Sequence, residues 1–359
     1  MRRILAIALF LVLAPPASAH PHAPKWQPVP TGSTQQFRGL DAVSKRVAWV
    51  GGSAGQVLRT IDGGKTWQDV LPPGSTGLLF RDVEAQSAYK ASVLAIGEGD
   101  ASRIYTTFDG GRNWTQAFVN DDAAAFYDCM AFYPGGRRGL VLSDPVDGKF
   151  RIAATDDFGK SWHVLPNDGM PPAMANEAAF AASGMCLVTS GRDAWFASGV
   201  GASRVFHSRD GGATWTVTAA PIPAAATGGG VFSLAFRNPR DGVMVGGDFS
   251  APTNGARASG FTRDGGASWQ PGGDLSGYRS GVDWYVRRPD AFDRLPAGRR
   301  QGLTLARATP DRRRPTGSDV SDDGGRSWRA FDATPFDAVD CVPFTCWASG
   351  PNGAVAVLR

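Results

Sequence analysis

The sequence predicts an all-β fold, a seven-bladed β-propeller of four-stranded antiparallel blades, and three observations lead to this prediction. First, one octapeptide is written six times: a hydroxyl residue, any residue, Asp, a glycine pair or near-pair, a linker, usually a second hydroxyl, and Trp. Second, its copies recur at a period of about fifty residues, which is typical of repeat folds built from small sheets. Third, 46 Gly, 25 Pro and 11 Trp in 359 residues describe a turn-rich β protein.

Each part of this octapeptide, called the box below, has a structural role. Asp-Gly between two apolar runs predicts a hairpin, because glycine reaches positive φ without steric cost. The Asp carboxylate and the leading hydroxyl are expected to bind the N–H groups of the turn, and the Trp to pack between neighbouring sheets. One Asp per repeat has no second Asp within reach, so we interpret the boxes as structural. Their residues are Asp62, Trp67, Asp109, Trp114, Asp157, Trp162, Asp210, Trp215, Asp264, Trp269, Asp323 and Trp328.

The first element along the chain is an export signal. Residues 1–19 contain a basic start, an apolar run at 4–13 and a small-residue end at Ala19. We therefore expect residues 1–19 to be a signal peptide, the protein to be periplasmic or extracellular, and residues 20–359 to form a single propeller domain. The apolar run is too short for a transmembrane helix and none of the later stretches is longer, so we expect no membrane span.

The charge balance argues against one class of partner. The 37 Lys and Arg residues nearly match the 33 Asp and Glu residues, and two of the arginines lie in the signal. The basic pI of about 9.0 therefore does not predict nucleic-acid binding. The four histidines and the box aspartates form no recognisable ligand set, so we expect no metal and no cofactor. We also expect a monomer.

The repeat unit between boxes consists of four short strands, the last of which starts at the box Trp. After the sixth box, three further strands follow without a box of their own. Residues 25–30, near the N-terminus, resemble the strand that follows the first box. We therefore expect this N-terminal segment to complete the last blade, which closes the ring and removes two exposed sheet edges.

The four cysteines fit an oxidising compartment. Cys341 and Cys346 flank a four-residue connection in the last blade, and we expect them to bridge its hairpin. Cys129 and Cys186 fall in neighbouring blades, but the strand register around residues 184–192 admits more than one solution. Either a second disulfide or two buried thiols fits the pattern there.

The six boxes make this chain similar to the Asp-box (bacterial neuraminidase, BNR) repeat proteins. The blade count and the full-length repeat most resemble the photosystem II stability/assembly factor group and its bacterial relatives. The stretches at 143–148, 177–183 and 317–321 also resemble that group. The resemblance covers residues 25–359 and implies a non-catalytic factor that holds another protein. The box is specific for the propeller and weakly informative about function, since hydrolases and sorting receptors share it.

An alignment of the innermost strands predicts the functional surface. It places Arg38, Arg81 and Arg279 at the mouth of the central channel as a basic arc. Asp82, Asp128 and Glu177 continue around the mouth as an acidic arc. Nine arginines lie between residues 287 and 314, and Arg312, Arg313 and Arg314 are the part of this insertion that we add to the binding surface.

Three interpretations of this mouth stay open. As a binding surface, the arginines would capture a protein segment or an acidic ligand. As an enzyme, arginines and carboxylates would serve a glycoside hydrolase of the sialidase-like or xyloglucanase-like type. In the third interpretation, the side chains pair with each other and line the channel. We favour non-catalytic binding, with the hydrolase as the alternative.

Overall fold

The computed structural model describes residues 24–286, 302–307 and 317–358, and for 302–307 it describes the backbone. The predicted signal peptide and Arg312, Arg313 and Arg314 lie outside these ranges. Within them, thirty β-strands and one short 3₁₀ turn (Gly99–Ala101) make up the regular structure. The described residues include no helix long and apolar enough to cross a membrane.

The strands follow one another along the chain in sheets that we label as they appear. The first strand is β1 (Trp26–Pro28). Sheet A follows, with β2 (Phe37–Ala42), β3 (Ala48–Gly52), β4 (Val57–Thr60) and β5 (Gln68–Asp69). Sheet B has β6 (Leu79–Ala85), β7 (Ala91–Ile96), β8 (Arg103–Thr107) and β9 (Thr115–Val119). Sheet C has β10 (Tyr127–Phe132), β11 (Gly139–Val146), β12 (Lys149–Thr155) and β13 (His163–Val164). Each sheet is antiparallel, with its strands in chain order.

The middle of the chain departs from this regularity. β14 (Glu177–Ala178) precedes β15 (Leu187–Ser190) and β16 (Asp193–Ala197), and β17 (Gly199–Val200) precedes β18 (Arg204–Ser208) and β19 (Thr216–Ala219). Strands β15, β16, β18 and β19 form sheet D. The next strands are β20 (Gly229–Phe236), β21 (Gly242–Asp248), β22 (Ser259–Thr262) and β23 (Gln270–Pro271). They join β14 and β17 in one six-stranded sheet, the wide sheet.

Two sheets complete the molecule. Sheet E contains β24 (Gly281–Val286), β25 (Gly302–Arg307), β26 (Ser318–Ser321) and β27 (Arg329–Asp332). Sheet F contains β28 (Ala338–Val342), β29 (Thr345–Ser349) and β30 (Val355–Leu358), with β1 added beside β30. The innermost strands contact one another in the order β2, β6, β10, β15, β20, β24, β28, and β28 contacts β2. This cycle of contacts is the closed ring of a β-propeller.

The predicted seven four-stranded blades are wrong, although the all-β propeller class agrees. Six of the propeller's sheets, A to F, are blades of four strands each. The remaining strands belong to the wide sheet, because β14 and β17 pair with each other and β17 continues onto β20. Residues 173–200 therefore do not repeat the regular unit. The sequence alignment placed Glu177 in an innermost strand, but Glu177 lies in β14 and the innermost strand of this region is β15.

The N-terminal segment lies in the place expected for it. Trp26 pairs with Leu358 in antiparallel register, and β1 is the fourth strand of sheet F. The Trp26 indole is buried and its Nε1–H donates to Ser318 Oγ at 3.0 Å. The apolar cores lie between neighbouring sheets, as where Phe37 and Val50 of sheet A pack with Trp347 of sheet F.

The boxes form the hairpins that the sequence predicts. In the first box, the Thr66 N–H and hydroxyl donate to the Asp62 carboxylate at 3.0 and 2.7 Å, and the Gly64 N–H donates to Thr60 Oγ1 at 2.9 Å. These hydrogen bonds from Thr66 lower the pKa of Asp62 to about 2. The Gly63 N–H donates to Arg46 O, which places the box turn beside the link between the first two strands. The box turns therefore lie on one face of the propeller, called the box face.

Candidate functional site

The opposite face surrounds the mouth of the channel, where the innermost strands begin. Arg279, just before β24, is fully buried with 0% of its surface exposed. Its guanidinium donates to Asp319, with Nε 2.7 Å from Oδ2, and also to Ser276 Oγ and to Tyr278 O. Burial lowers the pKa of Arg279, and the Asp319 charge opposes this shift. Arg279 is thus an internal ion-pair member, and its charge does not face the mouth.

The other two predicted arginines also have intramolecular partners. Arg38 Nε lies 3.9 Å from Asp337 Oδ1. Arg81 donates through Nη1 to Ala181 O at 3.2 Å. Burial, followed by the charge of Arg38, lowers the pKa of Arg81 to about 10, while Asp337 raises it. The predicted basic arc is therefore largely engaged within the chain.

The partner of Arg81, Ala181, belongs to residues 180–184 in the connection from β14 to β15. We call these residues the channel segment, because they lie across the channel. On one side the Phe180 ring stacks on Phe232 of the wide sheet, with centroids 3.6 Å apart. On another side Ser183 Oγ donates to Ser280 O beside sheet E at 2.6 Å. A Cβ added at Gly184 would lie 2.5 Å from Asp82 Oδ1 of sheet B. The chain itself thus fills the mouth that the sequence analysis treated as an open site.

The predicted acidic arc divides into different environments. Asp82 and Asp128 are buried, with 3% and 2% of their surfaces exposed. Glu177 is buried in β14, where its carboxylate accepts from Arg204 and from Ser198 Oγ. The structure does not bring these three carboxylates together as one surface.

Asp82 instead belongs to a deeper layer of carboxyl groups that sequence reasoning missed. Several of them accept a backbone N–H from the next sheet: Ala42 donates to Asp340, Ala85 to Asp41, Met130 to Asp82 and Cys341 to Asp283, over 2.5–2.7 Å. Glu84 lies among them and accepts from Phe132 N–H at 3.3 Å. A sequence signal for this layer does exist. Asp283 and Asp340 occupy the same position of their innermost strands, and Asp41 and Glu84 stand one residue before that position in theirs.

These carboxyls hold their protons strongly. Burial raises the pKa of Asp82 to about 7. Burial and the neighbouring carboxylates raise the pKa values of Asp41, Glu84 and Asp283 well above their usual range. The carboxyls of Asp283 and Asp340 also hydrogen-bond to each other. Among the described residues, no group of three or more His, Cys, Asp or Glu side chains is arranged to hold a metal ion.

Asp128 forms a separate pair with Asp144 of sheet C. Burial, and then the Asp144 charge, raises the pKa of Asp128 well above its usual range. Its Oδ2 has no hydrogen-bond partner in the described residues. Asp144 accepts from Ala179 N–H at 2.7 Å, and burial raises its pKa to about 6.

Beside Asp144, the mouth face opens into a cleft of about 640 Å³, called the mouth cleft. Its walls are residues 123–126, 144–145 and 173–178, together with Glu98 and Gly148. Alanines make up much of the lining, Met174 is largely exposed, and Glu98 and Asp144 add carboxylates. Sequence reasoning missed this cleft, although the Asp147-Gly148 turn on its rim, with both φ values positive, is a recognisable hairpin signal.

Two disulfides hold the surrounding chain. Cys129 of β10 is bonded to Cys186, two residues after the channel segment, and Cys341 is bonded to Cys346 across the β28–β29 hairpin. Among the described residues there are no free cysteines. The Cys129–Cys186 bond fastens one end of the channel segment to sheet C.

Comparisons with solved structures agree with a propeller. The structure described as "YCF48 bound to D1 peptide" is 16% identical, with a TM-score of 0.59 over 92% of this chain and 94% of that chain. YCF48 from Cyanidioschyzon merolae is also 16% identical, with a TM-score of 0.60 over 93% and 98%. The WD40 domain of Neurospora crassa Pan2 is 13% identical, with a TM-score of 0.57 over 90% and 89%.

The sequence comparisons add no relative. No protein-family model and no curated protein matches the chain. At the identities of the structural neighbours, the likeness shows the fold alone. The chain is a β-propeller that resembles YCF48 in fold.

Proposed function

We propose that this chain is an exported, non-catalytic β-propeller that binds a segment of a partner protein in the mouth cleft. The observation that carries the proposal is the cleft itself, which is about 640 Å³ in volume and opens on the mouth face. Clefts of roughly 300–1,000 Å³ have the size of typical binding sites. A propeller of similar fold, YCF48, is described as bound to a D1 peptide. The sequence resemblance to Asp-box proteins of the photosystem II stability/assembly factor group supports the same kind of role.

The charges of the cleft favour a protein segment over an acidic ligand. Glu98 and Asp144 line the cleft, and a carboxylate bound there would meet like charge. The arginines expected to capture an acid are held instead by Asp337, Ala181 and Asp319. An extended segment that offers N–H groups or a basic side chain fits these walls better.

The hydrolase alternative finds no support in the geometry. Glycoside cleavage needs two carboxyl groups that reach the sugar from opposite sides. Asp82 and Asp128 are buried, and the channel segment covers Asp82 at Gly184. A sugar ring therefore has no access to the carboxyls that the hydrolase interpretation requires.

Filling the cleft tests the proposal. Ala124 is exposed in its wall, and Ala124→Trp would occupy space that the partner segment needs. A photo-crosslinking residue at Met174 is expected to capture one partner from the exported fraction of the producing cells. Introducing Ala124→Trp should lower this capture at least tenfold and leave the melting temperature unchanged.

The matched control is Ala267→Trp, at an exposed alanine of the fifth box on the other face. It should leave capture at Met174 as in the unmodified protein, and a crosslinker placed at residue 267 should not yield the same partner. Undiminished capture in Ala124→Trp would contradict the proposal, as would equal crosslinking from both faces.

A further inference from the structure

The box face carries a cluster of exposed aromatic and lysine side chains away from the mouth cleft. We call it the aromatic patch, and its members are Tyr89, Lys90, Phe108, Phe158 and Lys160. Lys90 Nζ lies 3.9 Å from the centroid of the Phe158 ring and 5.7 Å from that of Phe108. Lys160 Nζ lies 5.5 Å from the Phe108 centroid. The three aromatic residues keep between 38% and 59% of their surfaces exposed.

The backbone of Phe158 is strained. It stands at the fourth position of the third box, where the other five boxes have glycine. Its φ is 71°, in the left-handed region that glycine adopts freely and a bulky residue does not. Glycine would make the same turn without this cost, yet the chain keeps a large exposed ring there. Strain of this kind concentrates at binding sites.

The lysines of the patch have no acidic partner among the described residues. Within the described part of the chain, neither Lys90 nor Lys160 forms an ion pair. Burial, and then the charge of Lys160, lowers the pKa of Lys90. The nearby box carboxylates of Asp109 and Asp157 accept hydrogen bonds from their own turns.

The next two boxes on the same face are built differently. Arg209, at the second position of the fourth box, lies 3.5 Å from Asp193, and Arg263, in the fifth box, lies 3.3 Å from Asp241. The first two boxes have Ile61 and Phe108 at this position. The third box has Asp156 there. The arginines of the fourth and fifth boxes thus have carboxylate partners, whereas Lys90 and Lys160 lie beside aromatic rings.

We propose that the aromatic patch binds an acidic segment of a partner protein, one with a carboxylate next to an aromatic or large aliphatic side chain. The half-buried Lys90 ammonium sits beside aromatic rings, so a carboxylate that meets it places its apolar neighbours against Phe108 and Phe158. Two unpaired cations favour an anionic occupant. Membrane lipids would need lysines that extend freely toward headgroups, whereas the Phe158 ring holds Lys90 in place.

Selection from a displayed library of random peptides against the full chain tests the proposal. The enriched peptides are expected to carry Asp or Glu beside Trp, Phe or Leu. The best of them, as a synthetic labelled peptide, should bind in fluorescence anisotropy. Lys90→Gln should weaken its binding at least tenfold, and so should replacement of the peptide's acidic residue by its amide.

Phe158→Gly separates a binding role from a structural one. It relieves the left-handed strain, so its melting temperature should be no lower than that of the unmodified protein, while peptide affinity falls at least fivefold. Arg209→Gln, in the neighbouring fourth box, should bind the peptide normally. Ala124→Trp in the mouth cleft should also bind it normally, so that a failure of the proposed function and a failure of this inference remain distinguishable.

Three outcomes would overturn the inference. One is a selection that enriches no acidic peptides or no peptides at all. Another is an affinity that Lys90→Gln and Phe158→Gly leave unchanged. The third is binding to phosphatidylglycerol vesicles that Lys90→Gln abolishes when no peptide binds, which would assign the patch to a membrane surface.

Discussion

Two layers of charged groups follow the innermost strands, and they resolve their charge in opposite ways. Near the mouth, in what we call the upper layer, Arg279 and Asp319 are both buried and neutralise each other. Further along the strands, in what we call the lower layer, the carboxyls of Asp41, Asp283 and Asp340 lie close together. Burial raises the pKa values of all three, and the charge of Asp340 adds to the rise for Asp41 and Asp283. The comparison teaches that the sign of the neighbouring charge decides whether a buried group keeps or loses its charge. The upper layer needs its ions, whereas the lower layer is most stable without them.

The largest effect is expected when the upper layer loses its anion. Asp319→Ala leaves the Arg279 guanidinium buried without its carboxylate, and breaking a buried pair in this way costs about 3–5 kcal/mol. Urea unfolding at neutral pH measures the loss. The double variant Arg279→Met with Asp319→Leu removes both charges and should recover most of it. A loss below about 1 kcal/mol in Asp319→Ala would show that water or another group replaces the carboxylate.

The lower layer should make stability depend on pH in the reverse sense from ordinary acid denaturation. Because the folded-state pKa values are raised, the folded protein binds more protons than the unfolded chain between about pH 4 and 7. The free energy of unfolding therefore falls as pH rises through this window. We expect it to be about 2 kcal/mol higher at pH 5.5 than at pH 8. Melting temperatures across this range check the slope.

Glu84→Gln is the matched variant for this slope. It removes one buried carboxyl and keeps an oxygen for the Phe132 N–H, so it should stabilise the protein at pH 8 and flatten the profile. His207 works in the opposite direction, because burial lowers its pKa and its protonation costs stability at low pH. Comparing Glu84→Gln with the unmodified protein at each pH cancels the contribution of His207, which is the same in both. A parallel pair of profiles would contradict the proposed role of the lower layer.

The smallest effect concerns the channel segment, which bonds to Ser280 next to Arg279 and approaches Asp82 at Gly184. Ser183→Ala removes the hydrogen bond to Ser280 O and should cost about 1 kcal/mol. Ser203→Ala is the control, because Ser203 Oγ is buried without a hydrogen-bond partner in the described residues. Denaturant midpoints measure both. Equal losses in the two variants would mean that the channel segment is not held by this bond.

The sequence predicted those features of the fold that depend on residues close together in the chain. Each box contains its own turn glycines and hydrogen-bonding side chains, so its hairpin and its face were predictable. The strand-like N-terminal segment also stood out, because the last repeat lacked a fourth strand. The count of four-stranded blades failed at residues 173–200, where β14 and β17 are too short to show a period of their own.

The surroundings of the predicted site residues were not predictable, for a different reason. The alignment placed Arg81 and Arg279 near the mouth, but it treated the channel as empty. Asp319 lies forty residues beyond Arg279, and the channel segment reaches Arg81 from a hundred residues away. These partners are far apart in sequence and close only in the folded protein, so a pattern of strands does not identify them. The mouth cleft is likewise formed by loops from separate sheets.

The pairing of β1 with β30 is the contact that spans most of the described chain, because Trp26 pairs with Leu358. The strands within sheets A to E are close together in sequence, so each of these sheets can form early in folding. The ring closes only when two distant segments meet, which costs more loop-closure entropy and is therefore expected late. Until then the Trp26 side chain has no core to enter, and β1 and β30 are unpaired sheet edges. A chain that is still folding is therefore most exposed to aggregation and proteolysis at this seam.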